Sequence, residues 1–136
     1  MRTAISLCAV LLFGCVAKSD SQGFHIPVLI KDDVQSEAFI VKYQNAGKRT
    51  VCITPHQWPN SAGKMHFASS TVWAYVENTQ FNLRTFNTGY CPGCAVRVRA
   101  GEVLVGRIPF AEFEMPSRLY GKEKVLHFRP LGYFCK

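Results

Sequence analysis

The chain has 136 residues, 48% of them hydrophobic and 18% charged, with a formal net charge of +7. That length suits one ordinary domain with a core of its own, and no internal repeat or low-complexity tract breaks it up. The basic balance favours acidic partners such as an acidic protein, anionic lipid or an envelope polyanion; the plainer reading is a solvated basic surface.

Residues 1–14 carry Arg2 and an apolar run over 4–13, ending in Leu12-Phe13-Gly14-Cys15. A short basic start, about ten apolar residues and a small-residue exit describe an export signal. The run is too short to span a bilayer as a helix, which takes roughly 20 apolar residues. The motif Leu12-Phe13-Gly14-Cys15 resembles the bacterial lipoprotein signal. The resemblance implies cleavage after Gly14, diacylglycerol on the Cys15 sulfur and acylation of the new amino terminus. Two or three acyl chains anchor a protein stably, whereas one binds only marginally. Val16, rather than Asp, follows the cysteine, which favours the outer membrane over the inner. The alternative is ordinary cleavage after Ala17 and a soluble exported protein. Export also makes nucleic acid an unsuitable partner, although the charge is still about +6 once Arg2 has left.

Residues 15–23 read as a linker and residues 24–136 as the domain. No segment of the domain keeps a helical apolar period over three turns. Short β-branched and aromatic runs alternate instead with turn residues. The first run is 24–30, where Pro27 suits an edge strand. Runs 38–43 and 49–54 flank Asn45-Ala46-Gly47, and runs 72–76 and 81–86 flank the hairpin candidate Glu77-Asn78-Thr79. In 95–99 the valines take one face and the arginines the other. Residues 100–102 turn that strand into 103–108, and 124–128 is the last run. Pro116 limits the helix candidate 110–120 to a turn or so. About eight short strands predict an all-β fold, an antiparallel sandwich or barrel.

Two phrases carry a family resemblance. Val41-Lys42-Tyr43-Gln44-Asn45-Ala46-Gly47-Lys48-Arg49-Thr50-Val51 is similar to the strand, Asn, Gly, strand opening of bacterial immunoglobulin-like domains. Val98-Arg99-Ala100-Gly101-Glu102 is similar to a later turn of the same domains, and intracellular-proteinase-inhibitor-type domains share both. The resemblance implies an antiparallel immunoglobulin-like β-sandwich; no inhibitory loop carries over.

Cys52, Cys91, Cys94 and Cys135 remain after export, an even number in an oxidising compartment, which reads as two disulfides. Three connectivities are open. Chain entropy values a Cys52–Cys135 bridge at about 4.5 kcal/mol and a Cys91–Cys94 ring at about 2. Cys91-Pro92-Gly93-Cys94 has the spacing of a thiol-disulfide exchange site, but such sites sit at a helix N-terminus in a βαβ context. This pair lies in a loop leading into a strand, so it reads as structural. A periplasmic thiol-disulfide protein using Cys91 and Cys94 is the alternative.

Residues 55–70 form a long loop with His56, Trp58, Met65 and His66. Two histidines and a methionine make a soft metal-binding alternative, yet a closed structural site wants four ligands, so no metal or other cofactor is expected. Trp58 suits either a binding anchor or a lid over one end of the sandwich. Arg97 and Arg99 share a strand face, with Arg107 and Arg129 as possible neighbours; a guanidinium row suits carboxylates, and the alternative is a solvent face. No nucleophile elbow or paired acid-base carboxylate is present, so no catalytic site and no small-molecule substrate are expected. The sequence thus predicts a lipid-anchored, disulfide-stapled, non-catalytic protein facing the periplasm. Its expected role is to bind a protein partner of acidic character through His56, Trp58, His66, Arg97 and Arg99, as an inhibitor, an immunity protein or an envelope-assembly accessory.

Overall fold

The structure is a computed structural model that describes residues 22–65, 72–84 and 93–136. Among these residues are ten strands, and every pairing between them is antiparallel. In chain order they are β1 (Phe24–His25), β2 (Leu29–Asp33), β3 (Ala38–Gln44), β4 (Val51–Ile53), β5 (Trp73–Val76), β6 (Thr79–Asn82), β7 (Val96–Val98), β8 (Val103–Pro109), β9 (Val125–His127) and β10 (Leu131–Phe134). They form a four-stranded sheet β1-β10-β4-β7 and two three-stranded sheets, β2-β3-β8 and β6-β5-β9. The fold is all-β and sandwich-like.

Ten strands replace the expected eight for two reasons. Pro27, with a fixed φ and no N–H, falls where the chain leaves one sheet for another. The run 24–30 is therefore two strands, β1 and β2, each at the edge of its own sheet. The second reason is β10, a strand formed by the chain beyond Pro130 between β1 and β4. The helix candidate 110–120 resolves into two single turns of 3₁₀ helix, Phe110–Glu112 and Ser117–Leu119, with Pro116 as the N-cap of the second. The β5–β6 hairpin turns on two residues, Glu77 and Asn78, both at positive φ. That is the geometry that matches the twist of the flanking strands; Thr79 already belongs to β6.

One core joins the sheets. Phe39, Val41 and Tyr43 alternate inward along β3, with Ile108 on β8. Val51, Ile53 and Val98 come from the four-stranded sheet, and Ala74, Val76 and Leu126 from the third. Phe110 and Phe113 pack edge-on against Phe39, with ring centroids 5.1 and 5.6 Å away.

Asn45, buried at the end of β3, ties two sheets together. Its Nδ2 donates to the carbonyls of Arg49 (2.8 Å) and Val98 (2.9 Å), and its Oδ1 accepts from the Gly47 N–H (3.1 Å). Every hydrogen of the amide group is used, which is the condition for burying a polar side chain cheaply. The neighbouring turn of residues 99–102 closes through Glu102 N–H to Arg99 O, with Gly101 at φ +80° as a type II turn requires. This turn carries the chain from β7 to β8 and so sets two sheet edges side by side.

Candidate functional site

Among the described residues strand β8 pairs with β3 alone and is one edge of its sheet. In an antiparallel pair, residues alternate between exchanging hydrogen bonds with the partner strand and pointing their polar groups away from it. Phe110 N–H donates to Glu37 O, and Asn45 N–H donates to Glu102 O, just beyond the two ends of β8. With Gln44 opposite Val103, both bonds place the even-numbered residues toward β3. The N–H and C=O groups of Val103, Val105 and Arg107 therefore face outward. No hydrogen bond links the backbone of Val103 or Val105 to a described residue beyond the ladder.

The far end of this edge is covered. Residues 58–63 wrap across it so closely that a Cβ on Gly63 would lie 2.8 Å from Arg107 O, and one on Gly106 would lie 2.7 Å from Pro59 Cγ. Glycine is required at 106 because the loop packs on the strand backbone itself. Between the loop and the two sheet edges lies a cleft of about 540 Å³, with Trp58, Pro59, Val96, Leu104, Val105 and Gly106 in its walls. Among the described residues the unpaired length of β8 thus runs from Val103 to Val105 and ends against the Trp58–Pro59 wall.

Apolar residues and cations alternate on the sheet face beside the cleft. On the outer face of the sheet, Leu29, Lys42 and Val105 form one cross-strand row, and Lys31, Ile40 and Arg107 the next. Leu29 is 72% exposed, Val105 59% and Val103 46%. Of the acidic groups nearby, one is ion-paired and one accepts a backbone hydrogen bond. Asp33 lies 3.8 Å from Lys31, and Glu102 accepts the Arg99 N–H at 2.8 Å.

The residues singled out from the sequence are dispersed. Trp58 is only 4% exposed, packs on Phe128 with ring centroids 5.7 Å apart and forms part of the cleft wall. The packing of its indole against a strand glycine is what buries it. His56 and Met65 meet around a void of about 10 Å³ with Val72, Phe128 and Pro130, room for about one water at most. Among the described residues no three His, Cys, Asp or Glu side chains come together as a metal site.

The arginines do not form one row. Arg97 lies on the outer face of the four-stranded sheet, lining a groove of about 470 Å³ beside the Cys52–Cys135 disulfide. Arg99 is exposed past the end of β7, Arg107 sits on the other sheet with its guanidinium on Ser36 O (2.7 Å), and Arg129 marks a third corner. Cys52 bonds Cys135 across 83 residues with their Cα atoms 5.2 Å apart, which removes the crossed connectivities. Cys94 is exposed and disulfide-bonded too. Residues 1–14, Cys15, His66 and Cys91 lie outside the described residues.

The sequence reading took 103–108 as an ordinary strand and passed over its edge. A signal was present: the run Val103-Leu104-Val105-Gly106 has no Lys, Pro or acidic residue, the usual protections of an edge. Comparison with known proteins found no matching family model, no matching curated protein and no matching solved structure.

Proposed function

We propose that this protein is a non-catalytic binding module, exported, tethered through lipid on Cys15 and facing the periplasm. An immunoglobulin-like sandwich in this reading presents its open edge to a protein partner. The stretch Val103–Val105 of β8, uncharged and unpaired among the described residues and beside the Trp58 cleft, carries the proposal. Natural sheets blunt a free edge unless something uses it. Of the five other edges of the described sheets, β2 carries Lys31 and two aspartates, β1 has two residues, β7 three with Arg97 at its centre, and β9 three; β6 is uncharged, and residues 112–114 bond the chain at its end. The Cys52–Cys135 bridge suits an oxidising compartment.

Two measurements test this. Cys15→Ser is expected to abolish acyl labelling and move the protein out of the membrane fraction; unchanged mass and membrane association would overturn the tether. A photo-crosslinking residue at Val105 is expected to give a defined protein adduct in intact cells, while the same residue at exposed Gln80 on β6 gives none. No adduct at either position would overturn the binding role.

A further inference from the structure

We infer that β8 takes up its partner by strand addition, and that the segment it accepts is extended, acidic and rich in β-branched residues. This rests on the binding reading and specifies its mode. Strand addition needs outward N–H and C=O groups on an accessible edge, and Val103 and Val105 supply two of each. An added strand lying along them would alternate its side chains between the outer sheet face and the cleft. Those turned inward would meet Val96, Leu104 and the Trp58 wall; those turned outward would lie beside Val103 and Val105. The wall limits the pairing to a short segment, so most of the specificity must come from side chains.

Charge selects the occupant. Lys42 stands opposite Val105, and Arg107, with its guanidinium on Ser36 O, follows Val105 along the edge; the Asp33 carboxylate is paired with Lys31, and Glu102 is folded back onto the Arg99 backbone N–H. A carboxylate on the added strand beside Val105 would lie diagonal to Arg107 on β8 and one strand removed from Lys42, within reach of two long cationic side chains. A second copy of the chain fits less well. Antiparallel pairing of two β8 edges centred on Val105 would bring two molecules of formal charge about +6 together, with Lys42 and Arg107 of each near the seam.

The test uses the full-length chain in detergent with a fluorescent ten-residue peptide alternating glutamate with valine or threonine. Two control peptides replace glutamate by lysine or carry a central proline. The acidic peptide is expected to bind at low salt at least tenfold tighter than either control and to slow amide exchange of Val103 and Val105 at least tenfold. Val105→Pro removes an outward donor without touching the β3 ladder and should weaken binding at least tenfold. Should that variant fold poorly by circular dichroism, Val105→Asp should weaken binding similarly while Val105→Arg preserves it. Binding without protection of those two amides overturns the proposal, as does equal affinity for the lysine peptide. Protection of the same amides by self-association assigns the edge to a second copy and overturns it as well. If the peptide fails while Val105 still crosslinks to a protein in cells, strand addition is wrong and the binding role stands; if both fail, the binding role falls with it.

Discussion

The Asp32 carboxylate holds Lys124 twice, across 92 residues of chain: Oδ2 accepts the Lys124 backbone N–H at 2.9 Å, and Oδ1 lies 3.1 Å from its ammonium. The Lys124 side chain is fully buried. Its Nζ also donates to the carbonyls of Tyr120 and Lys122, both at 2.6 Å, and sits 4.1 Å over the Phe110 ring. A buried charge is tolerated when it is paired and its hydrogens are used, and here they are. The side chain is thus held on every side and fastens β2 to the segment before β9.

Removing that cation leaves a carboxylate and two carbonyls facing an apolar pocket. Lys124→Met is expected to destabilise the fold by about 3 kcal/mol or more, the range for breaking one half of a buried pair. Urea unfolding followed by tryptophan fluorescence measures it. A change below 1 kcal/mol would show that the cage is solvated and structurally incidental.

Asn45→Asp keeps the shape of the side chain and removes both donors. The Arg49 and Val98 carbonyls then lose their partner, and the cost should be about 2–4 kcal/mol at neutral pH. Amide exchange should accelerate first in β7 and in the 99–102 turn. Uniform acceleration across all three sheets would argue against a local tie.

How much of this could be read from the residues alone differs sharply between backbone and site. β3 and β7 were legible because period-two alternation follows directly from burial of one face: Phe39, Val41 and Tyr43 are inside, and Arg97 lies outside Val98. β10 was missed because Leu131-Gly132-Tyr133-Phe134 lacks alternation. It owes its strand to neighbours on both sides and to the Cys135 clamp, which are long-range facts. Trp58 illustrates the same limit. Its burial depends on Gly106, a residue 48 positions away whose missing side chain makes the space. The edge of β8 was invisible for a further reason: which polar groups point outward depends on register, and register is a property of two strands together.

The Cys52–Cys135 bridge closes a long loop, and chain entropy values it at about 4.5 kcal/mol. Replacing both residues by alanine should lower stability by roughly that amount, measured by urea unfolding against the oxidised parent. A loss below about 1 kcal/mol would indicate that the unfolded chain stays compact without the crosslink.

Tyr43 gives a prediction in pH. Burial pushes its phenol above the ordinary value of 10.0. Between pH 10 and the folded-state value the unfolded phenol is ionised while the native one keeps its proton. The unfolded state then binds fewer protons, so stability is intact below pH 10 and falls as pH rises through that window. Tyr43→Phe should remove this share of the alkaline loss and leave stability near pH 7 almost unchanged. Superimposable alkaline profiles for the two proteins would contradict the assignment.

The short pairing of β1 with β10 has a mechanical consequence. The strands run antiparallel, so the start of β1 lies beside the end of β10, where Phe24 and Phe134 stand with ring centroids 5.0 Å apart. Tension between the two ends of the domain would therefore unzip this pair one bond at a time instead of shearing it, and would do so at low force. The disulfide holds β10 on β4 throughout, so the yield would stop near Pro27, where the load passes to the five-residue ladder of β2 on β3. The domain would behave as a stiff body on a short compliant leash, lengthening by roughly 20 Å as Phe24 and Ile26 leave the core and before the β2–β3 ladder carries the load.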